Sequence, residues 1–278
     1  MADGRARGSS LSTPRALLTA GNARVKEARR LGRRSVRTER RLFLADGPKA
    51  VAGALERDLV VEVFCTPAAA EQYAPLVAAA PRTSYVDDRA LAALSDSVSP
   101  AGVVAVCTFL DVPMDDALAA AAGPAGLVTV AADVRDPGNA GNLVRTADAL
   151  GAQAVVLAGH AVDVHNPKTV RASVGSVFHL PVALAAEPAG AVAAARAAGL
   201  VVLAADGAGE LSVDDSGDLL AGPTAWLFGN EAWGLPAELA ALADHRVRIP
   251  ISGRAESLNL ATAAAICLHE SARARRSS

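Results

Sequence analysis

Apolar residues in this chain gather into short runs that fall into two blocks. In the first, "LFLADG", "LVVEVFCT", "TSYVD" and "GVVAVCTFL" have the length and β-branched content of strands. Between them "PKAVAGALE", "AAAEQYAPLVAAA" and "RALAALSD" carry helical spacing, the first with Pro in its opening turn. Together they predict a small α/β unit over roughly 43–110. "DVPMDDALAAAAGPAG" reads as a linker with a short helix. From Leu127 the alternation lengthens, with strands expected at "LVTVAADV", "AQAVVLAG", "LPVALA", "GLVVLAAD", "TAWLFG" and "HRVRIPI". Helices are expected at "NLVRTADALG", "PKTVRASVGSVF", "AGAVAAARAAG", "PAELAALA" and "SLNLATAAAICLHESARAR". Strands alternating with helices imply a mostly parallel sheet covered on both faces. Upstream, Val25, Ala28 and Leu31 predict a helix over 22–31, and the Gly-, Ser- and Arg-rich start predicts disorder. The division expected is a disordered N-terminus over 1–19, an arm and small domain over 20–110, a linker over 111–125 and a larger domain over 126–278.

Charge changes this picture at one end. Residues 1–42 hold 12 Lys+Arg against three acidic residues, so within a total of -2 the remainder stands at -11. "RVKEARRLGRRSVRTERR" therefore reads as a basic arm for a phosphate backbone, through Arg24, Lys26, Arg29, Arg30, Arg33, Arg34 and Arg37, or as a solvated helical face. Cys65, Cys107 and Cys267 each lie in or beside an apolar run, which fits buried small hydrophobes. The five histidines have no ligand spacing, so no metal is expected. No uncharged stretch approaches the roughly 20 residues of a membrane span, and the start lacks an apolar signal core, so a cytoplasmic protein is expected.

Three polar loops follow predicted strands: "DVRDPGNAGNLVRTAD", "LFGNEAWGLP" and "RIPISGRAESLNLATAAA". In a parallel sheet these share the carboxyl edge, where adjacent loops enclose ligands. They hold close-approach glycines, amides, the carboxylate of Glu231 between glycines and the arginine Arg145 on a helix. They lack a phosphate-cradling Lys, a Ser-His-Asp set and G-x-G-x-x-G spacing, which argues against hydrolysis, nucleotide cleavage and dinucleotide binding. Such a set binds and orients, and it suits transfer of a group already activated on a cosubstrate.

"DPGNAGNLVRTA", "LFGNEAWGL" and "IPISGRAESLNLATAAA", in this order, resemble the three motifs of the SpoU (TrmH-type) RNA 2′-O-ribose methyltransferases of the SPOUT superfamily. The likeness extends through "NPKTVRASVGSVFHLPV" and upstream through "GNARVKEARRLGRRSVRTERRLFLADGPKAV", covering roughly 20–270, as in the ribosomal-RNA branch with an N-terminal substrate-binding domain. The resemblance implies an α/β fold: a C-terminal trefoil-knotted parallel-sheet methyltransferase domain, a rare exception to unknotted connections, with a smaller N-terminal α/β RNA-binding domain. It also implies S-adenosylmethionine as methyl donor, a homodimer with the site near its interface, and ribosomal RNA, most readily 23S, as partner. Carried over by motif, the donor would meet Leu227, Phe228, Gly229, Asn230, Glu231, Gly234, Ile249, Ile251, Ser257, Leu258 and Asn259, and catalysis would involve Asn139, Arg145, Glu231, Ser257 and Asn259. Asp46 stands where Glu is commoner, and Arg254 where the family is often apolar.

Each residue also has a plainer reading. Arg145, placed near the first helical turn, keeps its proton below about pH 12, which favours a phosphate or ribose clamp over a base; a structural pair with Asp136 or Glu231 is the alternative. Asn139, Asn142, Ser257 and Asn259 also suit turns and helix caps. Lys168, Arg171 and Ser173 face RNA or line a solvated helix, while His165 and His179 read as packing or surface residues. The rivals to methyl transfer onto rRNA are transfer onto tRNA, a non-catalytic RNA-binding or ribosome-assembly protein, and a nicotinamide enzyme resting only on "DGAGE".

Overall fold

The computed structural model describes residues 16–277. The expected disorder over 1–15 lies outside them. Residues 16–19 are ordered, because Leu18 donates its N–H to Tyr85 O (2.8 Å) and accepts from Asp87 N (3.2 Å).

Four strands, β1 (Leu42–Asp46), β2 (Val60–Cys65), β3 (Thr83–Tyr85) and β4 (Val103–Thr108), form a sheet in the order β1-β4-β2-β3. Its β2/β3 pair is parallel and its other pairs antiparallel. The period-2 pattern puts Leu44, Phe64, Val104 and Val106 on the face that helices Ala23–Arg29 and Arg34–Arg40, with the 3-10 turn Arg30–Gly32 between them, cover with Val25, Ala28, Leu31 and Val36. The basic run is thus no free arm. It is two amphipathic helices docked by an apolar stripe. One predicted helix, "AAAEQYAPLVAAA", is two, Pro67–Gln72 and Ala74–Ala79, because Pro75 starts a new turn after Tyr73.

Seven strands follow: β5 (Leu127–Ala132), β6 (Ala154–Ala158), β7 (Val182–Ala185), β8 (Val201–Ala205), β9 (Leu211–Ser212), β10 (Thr224–Phe228) and β11 (His245–Arg248). They form one parallel sheet in the order β7-β6-β5-β10-β8-β11-β9, and the two-residue β9 has no counterpart in the expected pattern. Both faces are buried, as a parallel sheet requires. Ala131, Leu157, Leu203, Trp226 and Phe228 pack in one core shared with the inner face of the smaller sheet. Val130, Val156, Val202 and Leu227 pack in another beneath helices Met114–Ala119 and Pro188–Ala197.

Helix Leu260–Ser277, which follows β11, the strand next to the β9 edge, returns across the sheet centre. Trp226 Nε1 donates to Ser271 Oγ (2.9 Å), and Arg275 donates to Gly126 O (3.1 Å), Gly222 O (2.8 Å) and Thr224 Oγ1 (2.8 Å). Among the described residues no helix is long and apolar enough to cross a membrane.

Candidate methyl-donor and substrate site

The strand order makes β5, β10, β8 and β11 neighbours, so their carboxyl ends lie side by side. Loops after β8, β10 and β11 enclose a cavity of about 360 Å³. Its walls are apolar at Phe228, Val247, Ile249, Ile251 and Leu258, with Asp206, Glu231 and Glu256 as carboxylates. The tight backbone around it explains its glycines. A Cβ on Gly229 would come within 2.3 Å of Gly234 C and 2.4 Å of its O, and Gly234 has φ +71°. Asn230 and Gly234 exchange two backbone hydrogen bonds (3.0 and 2.9 Å) that close this turn. Buried Asn230 then pins it to the β5 loop by donating Nδ2 to Asp133 O (2.6 Å), and its Oδ1 accepts from Ala232 N (2.8 Å).

The third loop contact lies at the cavity's lip. Helix Pro137–Ala149 begins earlier than the expected "NLVRTADALG", because Asp136 caps it by accepting from Asn139 N (2.8 Å). That bond, the largest effect, together with Lys168 Nζ at 3.4 Å, holds the Asp136 carboxyl below the usual range against the cost of desolvation. Asn139 therefore sits inside the first turn with its side chain free for other partners. Its Nδ2 donates to Glu231 Oε1 (3.1 Å), and its Oδ1 accepts from Asn259 Nδ2 (3.1 Å). Glu231 also accepts from the backbone N–H groups of Asp136 (3.3 Å) and Arg135 (3.4 Å). Asn259 caps the last helix through Ala261 N (2.9 Å). One hydrogen-bonded chain thus joins the ends of β5, β10 and β11.

Of the residues expected at the donor site, Phe228, Gly229, Asn230, Glu231, Gly234, Ile249, Ile251, Ser257 and Leu258 line the cavity. Leu227 does not, since its side chain points into the buried core beneath. Asn259 lies at the lip. Arg145 is the ninth residue of its helix, in the third turn instead of the first, and it is exposed. It has no ion pair among the described residues, so the pairing with Asp136 or Glu231 is not formed. The sequence reading missed Asp206 and Gly207, which enter through β8; the signal was "LVVLAAD" running into "DGAGE", set aside for lacking a dinucleotide fingerprint.

The expected RNA-facing residues separate into two groups. Arg37 is a correction: it is 2% exposed and donates to Asp163 Oδ2 (2.6 and 2.8 Å), Leu31 O and Gly32 O (both 2.9 Å), so no phosphate can reach it. Ser173 is likewise buried and donates to Val170 O (2.7 Å). Arg24 pairs with Glu62, Arg30 with Glu27, Lys168 with Asp136 and Arg171 with Asp96. Lys26, Arg29, Arg33 and Arg34 are exposed and have no ion pair among the described residues. His165 is buried, stacked on Phe109, and His179 is exposed beside Asp148.

The sequence matches the SpoU rRNA Methylase family over residues 126–269 and the MRM3-like substrate binding domain over residues 22–105. It is 35% identical over 269 residues to the 23S rRNA (uridine(2479)-2′-O)-methyltransferase of Streptomyces viridochromogenes, covering 93% of this chain and 92% of that one. It is 32% identical to the 23S rRNA (guanosine(2553)-2′-O)-methyltransferase RlmP of Bacillus subtilis, covering 90% and 96%. Among solved structures it resembles the SpoU methyltransferase AviRb from Streptomyces viridochromogenes in complex with AdoMet (TM-score 0.81, 34% identity, 92% and 100% covered). An AdoMet-bound rRNA methyltransferase from Sinorhizobium meliloti is similar too (TM-score 0.79, 36% identity, 91% and 95% covered).

Proposed function

The chain belongs to the SpoU rRNA methylase family, and from that premise we propose that it transfers the methyl group of S-adenosylmethionine to a ribose 2′-hydroxyl of RNA, with 23S ribosomal RNA as substrate. The observation that carries this reading is the Glu231–Asn139–Asn259 chain beside the cavity, because it places hydroxyl-binding groups next to a pocket for a compact, partly apolar cation.

The residues present fit that donor. The Gly229–Gly234 turn closes too tightly for a side chain at Gly229 and fixes the cavity wall, apolar walls suit an adenine ring, and carboxylates favour a positive sulfur. When bound, the donor supplies an electrophilic methyl group. The protein's own part is positioning. Asn139, Glu231 and Asn259 hold the lip in one arrangement, so a ribose docked there meets fixed acceptors and donors. Arg145, lying outside this chain's cavity and without an ion pair among the described residues, serves as a phosphate or ribose clamp, and we assign that role to the site of a homodimer partner. Arg145→Lys then loses most turnover, about 10-fold or more in kcat, since a point charge cannot replace a planar fork; near-normal turnover refutes the clamp.

The return of the last helix across β5 and β10 supports a trefoil knot, and the separate coverings of the two sheets support the division into 20–110 and 126–278. A ribosomal substrate would also support a cytoplasmic location. Incubation with tritiated S-adenosylmethionine and 23S rRNA, followed by mapping of the modified nucleotide, tests the activity. A transcript with 2′-deoxyribose at that nucleotide accepts no label. Donor binding without transfer to any ribosomal RNA supports the binding-only reading instead. Sedimentation equilibrium at micromolar concentration tests the dimer.

A further inference from the structure

The chain has two tryptophans, and they have opposite environments. Trp226 is buried, with its indole N–H bonded to Ser271 Oγ (2.9 Å). Trp233 is 53% exposed at the mouth of the donor cavity. This exposure sits on a fixed loop, because the Asn230–Gly234 backbone pair, the Asn230 bond to Asp133 O and the crowding at Gly229 all lock the turn. Of the eight exposed large hydrophobic side chains among the described residues, Trp233, Ile251 and Leu258 gather at this one mouth. Arg135 places its guanidinium carbon 4.9 Å from the centroid of the Trp233 ring, and it has no ion pair among the described residues. Arg135 does not line the cavity. It belongs to the β5 loop, and its backbone N–H faces Glu231.

We propose that Trp233, backed by Arg135, is a stacking platform for an unpaired base of the RNA substrate, next to the lip where the target ribose docks. Arg135 covers one face of the indole, which leaves the second for a base, and its charge faces the phosphates of that strand. An exposed aromatic ring beside an unpaired arginine is the chemistry by which proteins hold single-stranded RNA. The carboxylates lie inside the cavity and the cation outside it, so the positive donor and the negative strand are separated across Trp233. This inference rests on the proposed methyl transfer to RNA.

The test compares wild type, Trp233→Phe and Trp233→Ala. In Trp233→Phe only buried Trp226 remains, so the difference from wild type reads Trp233 alone. With S-adenosylhomocysteine saturating, 23S rRNA fragments added at low salt are expected to quench the Trp233 emission, and duplex RNA of equal length is not. In methyl transfer, Trp233→Ala is expected to raise the RNA KM on the order of tenfold and Trp233→Phe to restore most of it, with S-adenosylhomocysteine affinity within about twofold of wild type. Unchanged RNA KM in Trp233→Ala overturns the proposal. So does a tenfold loss of S-adenosylhomocysteine affinity, which makes the indole a donor contact, or a shift to monomer, which makes it a subunit contact. Wild-type protein that methylates no RNA refutes the proposed activity, whereas the quenching by RNA fragments still decides the platform.

Discussion

At the residue scale the site is governed by the direction of its hydrogen bonds. An ionised Glu231 only accepts, so the Asn139 amide must turn its NH2 toward it and its oxygen toward Asn259, whose own oxygen then caps the last helix. Each amide has a single workable orientation, whereas the sequence offered each both as a catalytic position by motif and as a turn or cap residue, without its partners. Asn139→Ala breaks two of these bonds and is expected to lower kcat/KM roughly ten- to a hundredfold. Asn139→Asp sets two carboxylates together and falls further at pH 8. One of that pair must take a proton for the lip to close, so the Asp variant recovers as pH falls toward 5, and the Ala variant does not. A pH profile of kcat/KM for the two variants checks the sign; parallel profiles defeat it.

At the element scale, helix packing and helix charge are the quantities that can be perturbed separately. Helix Pro137–Ala149 crosses helix Pro167–Ala172 at Gly141, where an added Cβ would lie 2.5 Å from Thr169 O and 2.6 Å from Ala172 Cβ. Helix propensity alone would make Gly141→Ala stabilising by about 1 kcal/mol. Backbone oxygen cannot retreat as a side chain can, so overpacking of about 1–3 kcal/mol reverses the sign. Gly190→Ala, in a helix with nothing within 4 Å of the new Cβ, is expected to keep the propensity gain. Urea midpoints of both variants measure the contrast. The two N-terminal helices keep their apolar stripe when their outer charges change. Arg29, Arg33 and Arg34 replaced together by Ser should leave folding and donor affinity intact and reduce the slope of log affinity against log salt for RNA by about 2–3. An unchanged slope removes these helices from the RNA contact.

At the scale of the whole molecule, one buried ion pair couples the two sheets. Arg37, from the N-terminal helices, meets Asp163 in the loop after β6, and His165 contacts the same carboxylate through Nδ1 (3.2 Å) while its Nε2 accepts from Leu110 N (3.2 Å). Burial opposes the Asp163 charge, but hydrogen bonds from His165 and Arg37, with the charge of Arg37, outweigh it and hold the carboxyl far below its ordinary range. A carboxyl depressed on folding stabilises above its unfolded pKa, about 3.9, and that contribution drains as pH falls below it. Stability is therefore expected to drop more steeply from pH 5 to 3 in wild type than in Asp163→Asn, by urea denaturation at each pH. Arg37→Met leaves Asp163 buried without its cation and is expected to cost about 3–5 kcal/mol. Arg37→Met with Asp163→Leu recovers much of that loss, which separates an uncompensated charge from simple loss of contact.

Local pattern by itself determined the two α/β blocks and the strand-end position of the three polar loops, because burial at period 2 or 3.6 and the glycines of tight turns are written in neighbouring residues, while the likeness to the family's motifs named most of the cavity lining. Tertiary structure alone decided which strands lie side by side. Setting β8 between β10 and β11 brought Asp206 and Gly207 into the site, and carrying the last helix back over β10 gave Trp226 and Arg275 their partners. It also turned Arg37 from a surface cation into a buried bolt 126 positions from its carboxylate. An arginine on a helix has the same sequence appearance whether water, a phosphate or a distant Asp waits beside it. Only long-range packing sets the dielectric and the partner that choose among them.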